Sequence, residues 1–305
     1  MTDLRELRRL EPLFWRAPSA HNTQPWLLEY SAERIALGVD PARHLAAGDP
    51  TRRDLMLGLG AFVETVLVVA AGEAVGLDFD GEAFVPGPVY ETPFAAADVL
   101  RRRTSRMRYD GPLADTDLEA ARAHLGPAEQ LHATTAAEVR DLFLVADRRV
   151  YESPAVVSEL RRWLRLSRRD PGYQRDGLTY EALCLSSAEA RVLGVLLRPW
   201  PMRVGRTLRV HHALAASSAR VLGDETVLVL ASDGDVRDAG RSLMRVWLEL
   251  ARRGLYTHPL SQIVDSARTE QELARRLGVS PPQRLLSVFR AGRSAQPVRS
   301  ARLKT

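Results

Sequence analysis

The stretch that decides how this chain is read is RAPSAHNTQPW, Arg16–Trp26. Its polar side chains, Ser19, His21, Asn22, Thr23 and Gln24, are framed by Pro18 and Pro25 and closed by Trp26. Proline fixes its own φ and restricts the residue before it, so both ends of the segment are stiff. Such a segment either turns a helix into a strand, with Ser and Asn satisfying backbone groups, or presents a polar edge to a ring. Its surroundings have to decide between the two.

Upstream, Leu4, Leu7, Leu10, Leu13 and Phe14 recur near a helical period, and Pro18 ends that run. Downstream, WLLEY and RIALGV flank SAE, the pattern of a hairpin. DPTRRDLMLGLGAFVETVLVVAAGEAVG then predicts a helix with Asp49 as N-cap, Pro50 in the first turn and Gly76 beyond its end. It is apolar on nearly every face, and Gly58 and Gly60 permit close backbone approach, so a central buried helix is expected. Gly81–Pro93 reads as a linker. Two helical pieces divided at Ser153-Pro154 follow, then a polar loop and further helix across Ser167–Val210, a segment long enough to form a lid. TVLVLAS (Thr226–Ser232) reads as a buried strand, and the helix after it is capped by SDGD and closed by Gly254. EQELARRLG is helical and QRLLSVFRAG is a strand. Helices and short sheets alternate only loosely, which predicts an α+β fold.

The 305 residues are 45% hydrophobic and 27% charged, the balance of an ordinary globular protein. Hydropathy alone marks no bilayer-spanning run, and the N-terminus lacks the basic, apolar, small-residue order of a secretory leader. Cytoplasmic residence and no membrane partner are therefore expected. The net charge of +5 does not predict nucleic-acid binding, because the arginines are scattered and Lys304 is the sole lysine. Cys184 is the single cysteine and reads as a small buried residue, and the histidines show no metal-ligand spacing. No G-x-G-x-x-G and no Walker loop is present.

Three separated stretches carry complementary chemistry. APSAHNTQPW offers a polar edge. RRTSR, Arg102–Arg106, alternates guanidinium groups with hydroxyls, a set that can hold a phosphate through charge-assisted bonds. GLYTHPLSQ, Gly254–Gln262, is a stiff loop after a helix, with further arginines at Arg290, Arg299 and Arg302. Taken together, these stretches resemble the P-S-x-x-N-x-Q-P-W signature, the arginine motif and the post-helix loop of the FMN-dependent nitroreductase-like family. Chain length and motif order are similar to its actinobacterial Acg-like branch.

The resemblance implies a nitroreductase-like fold in which two halves of one chain mimic the family dimer. Residues 1–95 would form the first half and 96–305 the second, with a lid at 167–210 and one composite FMN site. It implies Pro18, Ser19 and Asn22 at the flavin edge. Arg102, Arg103 and Thr104 would sit on phosphate or ribityl oxygens, and Arg106 near N1 and the O2 carbonyl. Pro259, Leu260 and Ser261 would lie against the ring, and Arg299 or Arg302 would close the phosphate pocket. A cation near N1 favours the reduced, anionic flavin. No metal and no side-chain catalyst is implied. NAD(P)H would deliver a hydride to flavin N5, to be passed to a small electron-poor acceptor such as a nitroaromatic or quinone. A lidded FMN-storage protein is the alternative. The fused halves imply a monomer, with a homodimer left open, and His21 and His258 are either hydrogen-bonded structural residues or substrate contacts.

Overall fold

The computed structural model describes residues 3–304. Leu4–Leu10 is a 3-10 turn running into the short α1 (Glu11–Phe14), so the expected amphipathic helix is tighter and shorter than its leucine spacing suggested. β1 (Trp26–Tyr30) and β2 (Ile35–Val39) form the expected antiparallel hairpin, with Trp26 opposite Val39. α2 (Arg53–Gly72) follows, and β3 (Leu77–Phe79) and β4 (Ala83–Pro86) complete a four-stranded antiparallel sheet in the order β1-β2-β4-β3. The stretch read as a linker therefore contributes a strand, because Ile35 pairs with Phe84 across the sheet.

α3 (Ala96–Arg101), α4 (Asp115–Arg122), β5 (Glu129–Thr135), α5 (Ala136–Glu152) and α6 (Pro154–Trp163) come next. The break at Ser153-Pro154 lies where proline geometry puts it, and the Ser153 hydroxyl accepts the Val156 N–H. The parallel pair β6 (Leu164–Arg165) and β7 (Leu178–Thr179) is followed by α7 (Ser187–Leu196), α8 (Pro199–Thr207) and α9 (Val210–Ser218). β8 (Thr226–Ser232), α10 (Val236–Arg252), β9 (Tyr256–Pro259), α11 (Ala267–Leu277) and β10 (Arg284–Gly292) close the chain. The second sheet is antiparallel in the order β5-β8-β10-β9. The architecture is α+β, as expected.

The two sheets are joined by the crossing of α2 and α10. At the crossing a Cβ on Gly60 would lie 1.9 Å from the Arg237 carbonyl oxygen, and one on Gly240 would lie 2.3 Å from that of Leu57. The backbones touch there, and only glycine permits it. Gly58, expected to share this role, has nothing closer than 3.8 Å. Asp49 is not the N-cap of α2 either: the helix starts after a left-handed Arg52, while the Asp49 carboxylate accepts the Leu55 N–H at 2.8 Å. By length and hydropathy α2 could cross a bilayer, contrary to the sequence reading, but 78% of its apolar window is buried inside the protein. Its Glu64 is fully buried, bonded to Arg241 and Arg245 of α10 and to Tyr90. α2 is a core helix.

The first core, built from α1, α2, β1 and α3, also takes in Met244 and Leu248 of α10. Trp26 stacks on Phe62 at 4.5 Å and so fixes the exit of the Arg16–Trp26 segment against α2.

Candidate functional site

The Arg16–Trp26 segment is a strained turn. His21, Asn22 and Gln24 all have left-handed backbone, with φ of 47°, 56° and 52°. Such residues persist only where their surroundings over-determine them. Ser19 accepts the Gln24 N–H at 2.9 Å. The Asn22 amide donates to the carbonyls of Gly177 and Ala301, each at 3.1 Å, and its oxygen accepts from Arg302 at 2.8 Å. Gln24 donates to the Arg175 carbonyl and accepts the Leu303 N–H. The segment is thus a clasp holding residues 175–177 on one side and the C-terminal tail on the other. The Asn22 side chain is fully used by protein groups, which accounts for its burial without any ligand contact. Asn22→Ala should therefore cost about 2–4 kcal/mol, from three hydrogen bonds and a left-handed alanine, read as a lower urea midpoint.

The arginine motif follows α3 as an extended segment beside β9. Thr104 bridges to Thr257 in parallel, and the Ser105 N–H donates to the Thr257 carbonyl at 3.1 Å. The second and third sequence stretches are therefore neighbours, and the first is next to them, since Arg102 donates to the Arg16 carbonyl at 3.2 Å.

At this junction five guanidinium groups come together. Arg16 reaches the Ser300 carbonyl, Arg103 that of Pro297, Arg299 that of Leu100, and Arg302 those of Trp15 and Ala301. Burial and mutual repulsion hold three of them below the usual arginine range. Burial, then Arg299 and Arg103, depress Arg16. Burial, then Arg16, push Arg102 down to about 10. Burial, then Arg16, Arg102 and Arg299, take Arg302 well down. Among the described residues none of the five is paired with a carboxylate, in contrast to the buried Arg290–Glu225 pair at 2.9 Å. Nε and Nη1 of Arg102 are buried and have no partner among the described residues. A buried cation without a counter-charge is costly, so the chemistry of this donor set asks for an anion.

Arg106 stands apart from these five. Its charged and polar neighbours are Arg290, Tyr109 and Cys184, and its Nη1 donates to the Ala182 carbonyl at 3.2 Å. His21 and His258 both lie in its field: burial, then Arg106, push His21 down to about 4, and burial with Arg106 and Arg290 takes His258 well below its usual range. The His258 Nδ1 accepts from Arg290 at 3.0 Å, so its proton sits on Nε2. Four residues of extended chain reach roughly 13 Å, so the motif sets Arg102 and Arg106 far enough apart to meet the two ends of an elongated anion.

No family model matches this chain. A Mycobacterium tuberculosis protein bearing the provisional name NAD(P)H nitroreductase Acg is 26% identical over 92% of this chain and 88% of its own length. Along most of its length this chain is therefore similar to that nitroreductase-named protein. A second protein of that organism, provisionally the NAD(P)H nitroreductase Rv3131, is 32% identical over 41% of each chain. Among solved structures, the FMN- and NADPH-dependent nitroreductase NfnB aligns at 20% identity over 66% of this chain and 88% of that one, with a TM-score of 0.37. A nitroreductase from Desulfovibrio desulfuricans in complex with FMN aligns at 15% over 70% and 92%, TM-score 0.38. Superpositions this loose carry no argument about ligand or activity.

Pro18 and Ser19 are half-buried, and Ser19 lines a cleft of only about 10 Å³ with Thr23, Arg43, Asp54 and Gly58. Pro259 ends β9 opposite Phe289, and Ser261 opens a 3-10 turn. The Leu260 side chain belongs to the second core with Ile263, Val264 and Leu273, so it packs beneath the loop rather than on its open face. Cys184 is exposed, with φ of +59°, and is not the buried residue its neighbours suggested. Arg16 was overlooked as a site residue because it stands at the rim of the first motif, and only the returning tail shows what it faces.

The residues around β6 and β7 pack on the Asn22 turn and on Arg106. Besides Asn22–Gly177 and Arg106–Ala182, Arg43 pairs with Asp176 at 3.1 Å and Arg165 pairs with the same carboxylate.

The two half-buried histidines give the chain an acid-sensitive centre. A histidine whose folded pKa lies below its unfolded value contributes fully above pH 6.5 and loses that contribution as pH falls toward the folded value. For His21 the window is 6.5 down to about 4, worth up to about 3 kcal/mol. His21→Gln is expected to flatten the decline of urea stability across that window, and an unchanged slope would contradict the assignment.

Proposed function

We propose that this chain is an FMN-dependent NAD(P)H oxidoreductase of the nitroreductase type. The observation that carries the reading is the convergence of Arg16, Arg102, Arg103, Arg299 and Arg302 with no carboxylate partner among the described residues, where two buried nitrogens of Arg102 also have none. A phosphate dianion supplies both the charge and the acceptor oxygens such a set needs. These arginines would hold the FMN phosphate, and Thr104, between Arg103 and Arg106 in the chain, would offer a hydroxyl, with Ser19 at the flavin edge. Arg106 would face the N1–C2 end of the ring, where reduction places negative charge. With His258 neutral and Arg290 paired with Glu225, Arg106 is the cation there that no carboxylate pairs among the described residues. When bound, FMN would supply two-electron transfer from NAD(P)H to a small electron-poor acceptor such as a nitroaromatic or a quinone.

Residues 1–95 and 96–305 would be the two halves of an internal pseudo-dimer, each carrying one sheet, with α2 against α10 as the seam. The contacts of Asn22, Gln24, Arg43 and Arg106 with residues 175–182 favour a second reading, a sequestered flavin behind a closed lid. Protein purified with a flavin absorbance band that bleaches on anaerobic NADPH addition supports the oxidoreductase. A band that persists under NADPH supports sequestration. Protein that takes up no flavin removes both.

A further inference from the structure

Eight large apolar side chains are exposed among the described residues, and five of them lie between residues 192 and 208: Val192, Val195, Trp200, Val204 and Leu208. Trp200 is 74% exposed and Leu208 71%. Val192 and Val195 are three apart on α7, while Trp200, Val204 and Leu208 follow at intervals of four along α8 and just past it, so each set shares a helix face. The opposite face is already used: Leu197 and Met202 are buried with Val157, Leu164 and Leu178. The α7–α8 hairpin thus has one apolar side docked on its own protein and another turned outward.

The charge around the outward stripe is of one sign. From Ala190 to Gly223 the sequence has six arginines and no Asp or Glu. Arg191, Arg198, Arg203 and Arg209 are exposed, and the nearest ion pairs, Arg168–Glu181 and His211–Glu152, include none of them. We propose that this hairpin docks the folded protein on an anionic membrane surface, with the Trp200–Val204–Leu208 stripe at headgroup depth and the arginines on lipid phosphates. A tryptophan within an apolar stripe edged by arginines is the composition of an interfacial helix. A second copy of the chain fits worse, because a two-fold contact through this face would set arginine against arginine. The proposal stands apart from the flavin reading, although it reverses the expectation of no membrane partner.

The full chain is sedimented with sucrose-loaded vesicles of phosphatidylcholine alone, or with about one third phosphatidylglycerol, while tryptophan fluorescence is followed. Trp15, Trp26, Trp163 and Trp247 are buried, so a blue shift on vesicle addition reports Trp200. Binding is expected to the anionic vesicles, at least about tenfold weaker to the neutral ones and in ~0.5 M salt. Trp200→Ser with Val204→Ser, and separately Arg198→Gln with Arg203→Gln, should each weaken it about tenfold with unchanged melting temperature. Three results overturn the proposal: no sedimentation with anionic vesicles, binding unaffected by either pair, or a vesicle-free dimer that the Trp200 pair dissolves.

Discussion

Arg102→Met is expected to make the flavin-free protein more stable and to remove its tight hold on FMN. Arg102 is buried, its Nε and Nη1 have no partner among the described residues, and burial and then Arg16 push its pKa down to about 10. A shift of that size corresponds to about 3 kcal/mol of unfavourable burial. Methionine fills similar space without the charge. Against that gain stand one hydrogen bond to the Arg16 carbonyl and the contact with the Trp247 ring at 6.0 Å, together worth about 1–2 kcal/mol. The flavin-free melting temperature should rise by a few degrees. In the loaded protein the balance reverses, since a buried charge-assisted contact with phosphate is lost, and FMN affinity should fall about a hundredfold or more. Thermal melts of the flavin-free form and fluorescence titrations with FMN read the two effects separately. A variant that is less stable and binds FMN as before would place the anion elsewhere.

The second large effect concerns the seam. Gly60→Ala should destabilise the protein by more than about 3 kcal/mol, because the new Cβ meets the Arg237 carbonyl, which is backbone and cannot rotate away. Gly240→Ala should act alike through the Leu57 carbonyl. Gly58→Ala is the control: its Cβ has ordinary room beside the Pro18 carbonyl, and alanine favours a helix by up to about 1 kcal/mol. Urea unfolding separates them. A small effect at both Gly60 and Gly240 would mean that the helices cross less closely than described.

What the sequence disclosed follows the range of the forces involved. α10 was legible from its apolar period, its Asp235 cap and Gly254, and the β1–β2 hairpin from two strand-like runs flanking a short polar turn, because these signals are local. β4 hid in a stretch rich in proline and glycine, since its four residues are defined by partners at Ile35 and Leu77–Phe79. β5, EQLHATT, escaped notice because an edge strand buries few side chains and shows weak apolar alternation. Gly60 and Gly58 are equivalent on paper and differ only once α10 is in place. The site was visible as three motifs, yet the charge imbalance was not. Arg16 and Arg302 are nearly three hundred residues apart, and the tail's return to the Asn22 turn leaves no local mark.

The central claim is that the five-arginine junction recognises a phosphate on a flavin. Titrating the flavin-free protein with FMN and with riboflavin, which has the same ring and ribityl chain without the phosphate, tests it most directly. FMN should bind at least about a hundredfold tighter, with the difference shrinking as salt is raised. Equal affinity for the two flavins would contradict it.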